Sequence, residues 1–207
     1  MTPTHTDGAG GWRWYHGAIF YAGVQLLSFG LGKLAQRSKG ASSPKLGESI
    51  AGNAANDDFY NRLTQPIFAP PAWSFAPVWT LNNVLCLWGL LRSLNMPVGR
   101  PGRAAFIGLQ GVVWVSFASF NALYFGLRSP INGAASTLLG LLATVASIYV
   151  AVFRLRDRRV ALSQSTILPW LVLASATATT VAAWNHDEYY EAGPFSAPVP
   201  GWAKAAD

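Results

Sequence analysis

Five long stretches of the chain contain no Asp, Glu, Lys or Arg. They are residues 14–32, 63–91, 104–127, 129–153 and 160–186. Each stretch is close to or longer than the roughly 20 residues with which a helix crosses about 30 Å of hydrocarbon. A soluble helical bundle would need charged outer faces, and these stretches provide none. The sequence therefore predicts an all-α membrane protein with five transmembrane helices.

The low charge content supports this fold class. Only 12% of the 207 residues are charged, against roughly 25% in soluble domains. The net charge of +6 does not indicate a nucleic-acid partner, because the basic residues lie at the ends of the apolar stretches and form no stripe with interleaved aromatics. Cys86 is the one cysteine, so no internal disulfide is possible.

The chain divides into three predicted regions. Residues 1–16 are expected to be a disordered N-terminal segment with an aromatic anchor, residues 17–185 the transmembrane domain, and residues 186–207 a polar tail outside the membrane. The connection over residues 37–71 is long enough to suggest a function, and we expect it to form an ordered cap with a short helix at residues 47–63. The transmembrane helices are predicted at residues 17–36, 72–94, 104–125, 131–153 and 162–185.

Loop charge predicts the orientation in the membrane. The N-terminal segment and two short turns share one side and carry eight basic residues: Arg13, Arg92, Arg100, Arg103, Arg154, Arg156, Arg158 and Arg159. The other side has seven basic and seven acidic residues, spread over a long loop and the tail. Short, densely basic loops favour the cytoplasm, so we predict a cytoplasmic N-terminus.

One segment, from Gln65 to Thr80, contains four prolines and two tryptophans, and we call it the gateway. Pro70 and Pro71 cannot lie inside a helix, but they can form a rigid lead into its first turn. Tryptophan prefers the level where hydrocarbon meets water. The gateway is therefore predicted to be a stiff segment at the membrane surface, where the second transmembrane helix begins.

Polar and aromatic side chains recur at helical spacing within the apolar stretches. The amides of Asn83, Gln110 and Asn121 should avoid lipid, because an unpaired amide in hydrocarbon is costly. Each can either hydrogen-bond a neighbouring helix or face a cavity, and both interpretations stay open. Taken together, these rows of polar and aromatic side chains favour a cavity for a flat apolar ligand with a few polar edges. The expected lining residues are Trp79, Asn83, Trp114, Phe117, Asn121, Tyr124, Trp170, Thr177 and Trp184.

Few residues have the type and spacing of a catalytic or metal site. The three histidines are not spaced as ligands, so no metal site is expected. The segment Asp57-Asp58-Phe59-Tyr60-Asn61 resembles the Asp-rich signatures that bind Mg²⁺ and diphosphate in prenyl-using enzymes, but an acidic turn on a solvated helix is the interpretation that the sequence favours. If the protein is an enzyme, Asp57, Asp58 or Glu48 would act from the cap. No ionisable residue lies deep in an apolar stretch, which disfavours an ion pump.

A long motif connects the chain to a known family. It reads Phe59-Tyr60-Asn61-Arg62-Leu63-Thr64-Gln65-Pro66 and then Pro70-Pro71-Ala72-Trp73-Ser74-Phe75-Ala76-Pro77-Val78-Trp79. Asn121 with Phe125, and Leu168-Pro169-Trp170, are weaker matches. With these residues the chain resembles the tryptophan-rich sensory protein family, also called the translocator or peripheral benzodiazepine receptor family (TspO/MBR).

The resemblance implies an up-and-down five-helix bundle, a homodimer, and a first loop that caps a pocket. Family members bind porphyrins, sterols and synthetic aromatic compounds, so the resemblance implies a hydrophobic ligand. It implies no required cofactor, and a tetrapyrrole or a lipid is the molecule expected to be bound. The pocket or cap residues carried over by position are Tyr60, Trp73, Phe75, Trp79 and Asn121.

This chain departs from the family motif at several positions. Phe59 replaces a tryptophan, Gln65 replaces a lysine, and Asn82-Asn83 replaces Leu-Tyr. On the last helix, Leu173 replaces a tryptophan and Thr180-Val181 replaces Leu-Asn. Three functions therefore stay open from the sequence: a ligand-binding sensor, carrier or regulator; a membrane enzyme acting on an apolar, prenyl or terpenoid, substrate with Mg²⁺; and a structural subunit of a membrane complex.

Overall fold

The computed structural model describes residues 11–37 and 54–204, and the regular structure within these ranges is helical. The helices are α1 (Trp14–Arg37), α2 (Ala54–Arg62), α3 (Phe75–Leu94), α4 (Arg103–Asn121), α5 (Pro130–Tyr149), α6 (Arg158–Ser165) and α7 (Leu168–Trp184). A 3₁₀ turn at Ala72–Ser74 leads into α3, and π-helical turns at Ala122–Gly126 and Val150–Leu155 extend α4 and α5.

Five helical spans in the described ranges are long and apolar enough to cross a membrane. They are Trp14–Gln36, Ala72–Leu94, Arg103–Gly126, Pro130–Leu155 and Arg158–Trp184. This confirms the predicted all-α fold with five transmembrane helices. The first span starts at Trp14 rather than at residue 17. Trp14, which lies in the predicted N-terminal segment, therefore belongs to the first turn of α1.

Helix α5 packs between α4 and α7. Its buried face consists mainly of small residues that let the neighbouring helices approach closely: Gly133, Ala134, Ser136, Thr137, Gly140, Ala143, Thr144 and Ser147. Helix α1 packs on α4 and its π-helical turn, and α3 packs on α6. A core cluster that includes Val24, Leu87, Trp114 and Leu171 joins α1, α3, α4 and α7.

The last span is not the continuous helix predicted for residues 162–185. It begins at Arg158, because the carboxylate of Asp157 accepts hydrogen bonds from the backbone N–H groups of Arg159 and Val160 at 3.0 and 3.2 Å and so caps α6. It is then interrupted between Ser165 and Leu168. Pro169 has no N–H and its ring clashes with the preceding turn, so an undistorted helix cannot pass through it.

The N-terminal segment and the two basic turns meet at one end of the bundle. The backbone of Trp12 exchanges two hydrogen bonds with the Asn95 side chain, each at 2.7 Å. Arg92 forms an ion pair with Asp157 at 2.8 Å, which joins the two turns. The grouping predicted from loop charge is therefore present in the structure, whereas the side of the membrane on which this end lies stays a prediction.

The C-terminal tail packs on the opposite end of the bundle, against the gateway. The Ile67 N–H donates to the Trp202 carbonyl at 2.8 Å. Lys204 donates from its backbone N–H to the Gln65 carbonyl at 2.8 Å and from Nζ to Gln65 Oε1 at 3.0 Å. The predicted polar tail is thus an ordered strap on the gateway, held mainly by backbone hydrogen bonds.

Candidate functional site

A cavity of about 340 Å³ lies between α1, α3, α4, α5 and α7, beside the gateway. Its volume is at the lower end of the range of roughly 300–1,000 Å³ for small-molecule pockets. The structure places eight of the twelve predicted ligand-contacting residues on its wall, and these are Tyr60, Trp73, Phe75, Trp79, Asn83, Trp114, Phe117 and Asn121.

Aromatic rings form much of the cavity wall. The centroid of Trp79 lies 5.3 Å from that of Phe117, and Phe117 lies 5.8 Å from Trp114 with nearly perpendicular ring planes. Phe75 makes an edge contact with Tyr60 at 5.3 Å. Tilted and edge-to-face contacts of this kind stabilise a fixed arrangement of rings, so the wall offers rigid apolar surfaces.

Four predicted residues do not line the cavity. Trp170 lies behind the wall, with its ring 5.5 Å from Phe75 and 6.5 Å from Trp79. Tyr124, in the π-helical turn after α4, is buried against Gly133 of α5. Thr177 and Trp184 are buried in the packing of α7.

The face of the last helix that borders the cavity differs from the face that carries the predicted residues. On this span the side chains of Ile167 and Leu171 line the cavity. The predicted stripe through Trp170 lies one residue away from Leu171, which is about 100° around the helix. Periodicity alone identified an aromatic face, but the rotation of α7 relative to the cavity depends on how the helix resumes after its break.

The three amides predicted within the apolar stretches have different surroundings in the structure. Gln110 is buried away from the cavity and donates to Ser147 Oγ at 3.1 Å and to Gln164 Oε1 at 3.0 Å, so it joins α4 to α5 and α6. Asn121 lines the cavity and also donates to Ser28 Oγ on α1 at 3.3 Å. Nδ2 of Asn83 lies on the wall without a partner in the described part of the protein.

The cavity also has lining residues that the sequence analysis did not identify. Ser116 and Ser136 bring their hydroxyl oxygens within 3.0 Å of each other between α4 and α5. On α1, Gln25 Nε2 donates to the Tyr21 hydroxyl at 2.7 Å. A glutamine four residues after a tyrosine in an apolar stretch was a usable signal. The serines were not, since small residues are equally frequent in helix packing.

The gateway positions Tyr60 at the mouth of the cavity. Tyr60 is buried and its hydroxyl donates to the Pro70 carbonyl at 2.9 Å, while the Gln65 side chain donates to the Tyr60 carbonyl at 2.5 Å. Burial raises the pKa of the Tyr60 phenol, so the ring stays neutral. Trp73 is 77% exposed and forms the outer rim. Residues 38–53 of the predicted cap lie outside the described residues.

Of the three acidic residues considered for catalysis, Asp58 is the one whose side chain the structure describes. Asp58 lies on α2, is exposed and is not a lining residue. Asp57 also belongs to α2, but its side chain is outside the described part of the structure, as is Glu48. Across residues 11–37 and 54–204, no group of three His, Cys, Asp or Glu residues has a geometry that could hold a metal ion.

Comparison with known proteins agrees with the motif and the fold. The TspO/MBR family model matches residues 41–184, which is more than half of the chain. The chain is 28% identical to the tryptophan-rich protein TspO of Archaeoglobus fulgidus over 123 residues, which cover 57% of this chain and 74% of that protein. It is 26% identical to the tryptophan-rich protein TspO of Chlorobaculum tepidum over 81 residues, 39% of this chain and 51% of that protein. With five apolar spans and this match, the chain belongs to the TspO/MBR family and is an integral, multi-pass membrane protein.

Proposed function

We propose that the protein binds a hydrophobic aromatic or isoprenoid small molecule, of the porphyrin or sterol type, between its helices and acts as a sensor, carrier or regulator. The observation that carries this proposal is the cavity of about 340 Å³, walled by aromatic rings and a few polar groups beside the gateway. Ligand sites are typically concave and apolar, with a small number of placed polar groups. A tetrapyrrole or lipid would be the bound molecule rather than a cofactor.

Homodimerisation, which the family resemblance implies, is part of the same proposal. Large apolar side chains such as Leu81, Leu139 and Leu142 are exposed on the surface of the spans. Such a surface suits contact with lipid or with another helix, because both are apolar. The subunit number can be measured by light scattering of the protein in detergent.

Tryptophan fluorescence tests ligand binding directly, since Trp73, Trp79 and Trp114 lie on the cavity wall. We expect protoporphyrin, or a fluorescent sterol that accepts energy from tryptophan, to quench the protein emission saturably at micromolar concentration. The titration is made both in detergent and in lipid nanodiscs, with empty nanodiscs to correct for partition of the probe into lipid.

A matched pair of substitutions on α3 localises the binding. Thr80 and its neighbour Leu81 are both exposed, but of the two only Thr80 lines the cavity. Thr80→Phe adds a ring to the cavity and should weaken binding at least about tenfold, while Leu81→Phe should leave it within about twofold. The absence of saturable quenching in both detergent and nanodiscs would contradict the proposal. A subunit with a purely structural role would show no quenching and would co-purify with other chains.

A further inference from the structure

A groove of about 560 Å³ lies at the basic end of the bundle, where the N-terminal segment meets the end of α3, and we call it the end groove. Among the described residues, none lines both this groove and the central cavity. The proposed function makes no use of the end groove. Its lining residues are Trp12, Trp14, Trp88, Leu91, Arg92, Asn95, Met96, Pro97, Arg100 and Asp157.

Contacts between the N-terminal part of the chain and α3 hold the groove in shape. The Asn95 side chain both donates to and accepts from the backbone of Trp12, each time at 2.7 Å, and so fixes the N-terminal segment against α3. One helical turn before Asn95, α1 and α3 are in close contact, since a Cβ atom added at Gly17 would lie 2.9 Å from Leu91 Cδ1. The end groove is therefore a cleft with defined walls.

The wall changes from apolar to cationic along α3. Trp88 is 48% exposed, and Trp14 on α1 is 79% exposed. At 1.5 Å per residue, Arg92 lies about 6 Å further along the helix axis than Trp88. Tryptophan prefers the boundary between hydrocarbon and headgroups. An apolar wall that ends in guanidinium groups at this boundary matches the profile of a phospholipid, which has acyl chains below a phosphate.

Two arginines provide the groups that can bind the phosphate. Arg92 donates to Asp157 Oδ2 through Nε at 2.9 Å and contacts it through Nη2 at 2.8 Å, and Nη2 of Arg100 donates to the Leu155 carbonyl at 2.6 Å. A guanidinium has five N–H donors, and Nη1 of both arginines has no partner in the described part of the protein. These two groups are held in place by the protein and keep donors for an anion.

The charge around the groove favours an anionic lipid over a zwitterionic one. The two basic turns, residues 92–103 and 154–159, contain seven arginines and one acidic residue, Asp157. Asp157 is already paired with Arg92 and caps α6, so it is not free to bind a choline or ethanolamine cation. The predicted cytoplasmic side of this end agrees, because anionic lipids are concentrated in that leaflet.

We infer that the end groove binds an anionic phospholipid, with its phosphate on Arg92 and Arg100 and the upper part of an acyl chain on Trp14 and Trp88. A soluble anion would use the arginines but would leave the apolar wall uncovered, whereas the lipid covers both parts of the groove. The inference goes beyond the proposed function, since it concerns a different site and a different ligand.

Native mass spectrometry of the detergent-solubilised protein tests the inference with two lipids that share their acyl chains. The lipids are dioleoyl phosphatidylglycerol, which is anionic, and dioleoyl phosphatidylcholine, which is zwitterionic. We expect the first phosphatidylglycerol to bind about tenfold more tightly than phosphatidylcholine, because each arginine near the surface adds a few-fold to the affinity for an anionic lipid. Glycerol 3-phosphate, a soluble anion without acyl chains, should not displace phosphatidylglycerol at millimolar concentration.

A matched pair of arginine substitutions assigns the preference to the groove. Arg100→Gln removes a cation from the groove and should weaken phosphatidylglycerol binding about fivefold, with phosphatidylcholine binding changed less than about twofold. Arg158→Gln is the control, because Arg158 is exposed at the same end but does not line the groove. It should change the affinity for either lipid less than about twofold. Trp14→Ala removes apolar wall and should weaken both lipids about equally.

Several results would overturn the inference. Equal affinity for the two lipids would contradict an anion site, and tighter phosphatidylcholine binding would indicate an aromatic site for the choline cation. Displacement by glycerol 3-phosphate would indicate a site for soluble anions. Equal losses in Arg100→Gln and Arg158→Gln would indicate attraction by the net charge of this end. The comparison of the two lipids needs no variant, and the protoporphyrin and sterol titrations test the central cavity separately.

Discussion

At the scale of single residues, Asp187 connects the tail to the bundle. Its side chain is fully buried and accepts hydrogen bonds from the Ser129 hydroxyl and the Ile131 N–H on one oxygen, and from the N–H groups of Tyr189 and Tyr190 on the other. Burial alone would raise the pKa of Asp187, but these four donors outweigh it and hold the pKa below its ordinary value. The ionised carboxylate is thus the form that the fold stabilises.

Replacing Asp187 by Asn should lower the melting temperature by about 5 °C. The amide group presents N–H to donors that need an acceptor, and hydrogen bonds to a charged group contribute about 1.5–3 kcal/mol. Because the pKa in the folded state is depressed, the contribution is complete above the unfolded pKa of about 3.9 and is lost as the pH falls through the folded value. Differential scanning fluorimetry from pH 3 to pH 8 would measure it.

The control for this substitution is Asp58→Asn, the same chemical change at an exposed position. It should change the melting temperature by less than about 1 °C at every pH. If Asp187→Asn also left the melting temperature at pH 7 unchanged, the assigned role of the carboxylate would be wrong. The same holds if its effect on the melting temperature grew as the pH fell below 4.

At the scale of elements, the small face of α5 determines how closely its neighbours pack. A Cβ atom added at Gly133 would lie 2.5 Å from the Tyr124 ring, whereas a Cβ at Gly140 would meet Leu171 and Ser116 at ordinary contact distances of 3.8 Å. The two glycines lie on the same helix and face, yet only the first is required by a close approach.

Alanine should therefore lower the thermal stability at Gly133 but not at Gly140. Gly133→Ala forces the Tyr124 ring to move, and overpacking of this kind costs about 1–3 kcal/mol, so the melting temperature should fall by about 2–8 °C. Gly140→Ala avoids a clash and gains up to about 1 kcal/mol of helix propensity, so it should be neutral or stabilising. Thermal denaturation of both variants in the same detergent compares them, and a more stable Gly133→Ala protein would refute the close packing.

At the scale of the whole molecule, the two ends of the bundle differ in charge and in covering. At one end, the Arg92–Asp157 ion pair joins the two basic turns, and Asn95 bonds the backbone of Trp12 in the N-terminal segment. The other end carries the gateway with the tail packed on it. Because the positive-inside rule relates short basic loops to the cytoplasm, this asymmetry predicts that the tail and the gateway face away from the cytoplasm.

Cysteine labelling in intact cells would measure the orientation. Val98 and Ser196 are exposed at opposite ends, and the native Cys86 is buried and serves as an internal unreactive control. A membrane-impermeant maleimide should label Ser196→Cys at least about tenfold more than Val98→Cys, because only the first position lies outside. After the membrane is permeabilised, both should react equally. Preferential labelling of Val98→Cys would invert the predicted topology.

Much of the fold was predictable because its signals are local. An uncharged stretch of sufficient length needs a helix in the membrane whatever its neighbours are, and the Pro-Pro-x-Trp segment begins α3 through its own backbone restrictions. Part of the cavity was predictable for the same reason, since Trp79, Asn83 and Phe117 lie on stripes with helical spacing. The catalytic interpretation of Asp57 and Glu48 and the identity of the ligand stay predictions.

The sequence by itself thus determined the number of spans, the position of the gateway and the family. Only the tertiary structure decided which face of α7 borders the cavity and that the tail packs on the gateway. It also decided that Gln110 donates to neighbouring helices, while Nδ2 of Asn83 has no partner among the described residues. The physical reason is the distance along the chain over which each effect acts. Hydrophobic length and proline geometry act within one segment, whereas helix rotation, hydrogen-bond partners such as Asn185 with Thr64, and cavity shape depend on contacts between residues far apart in the chain.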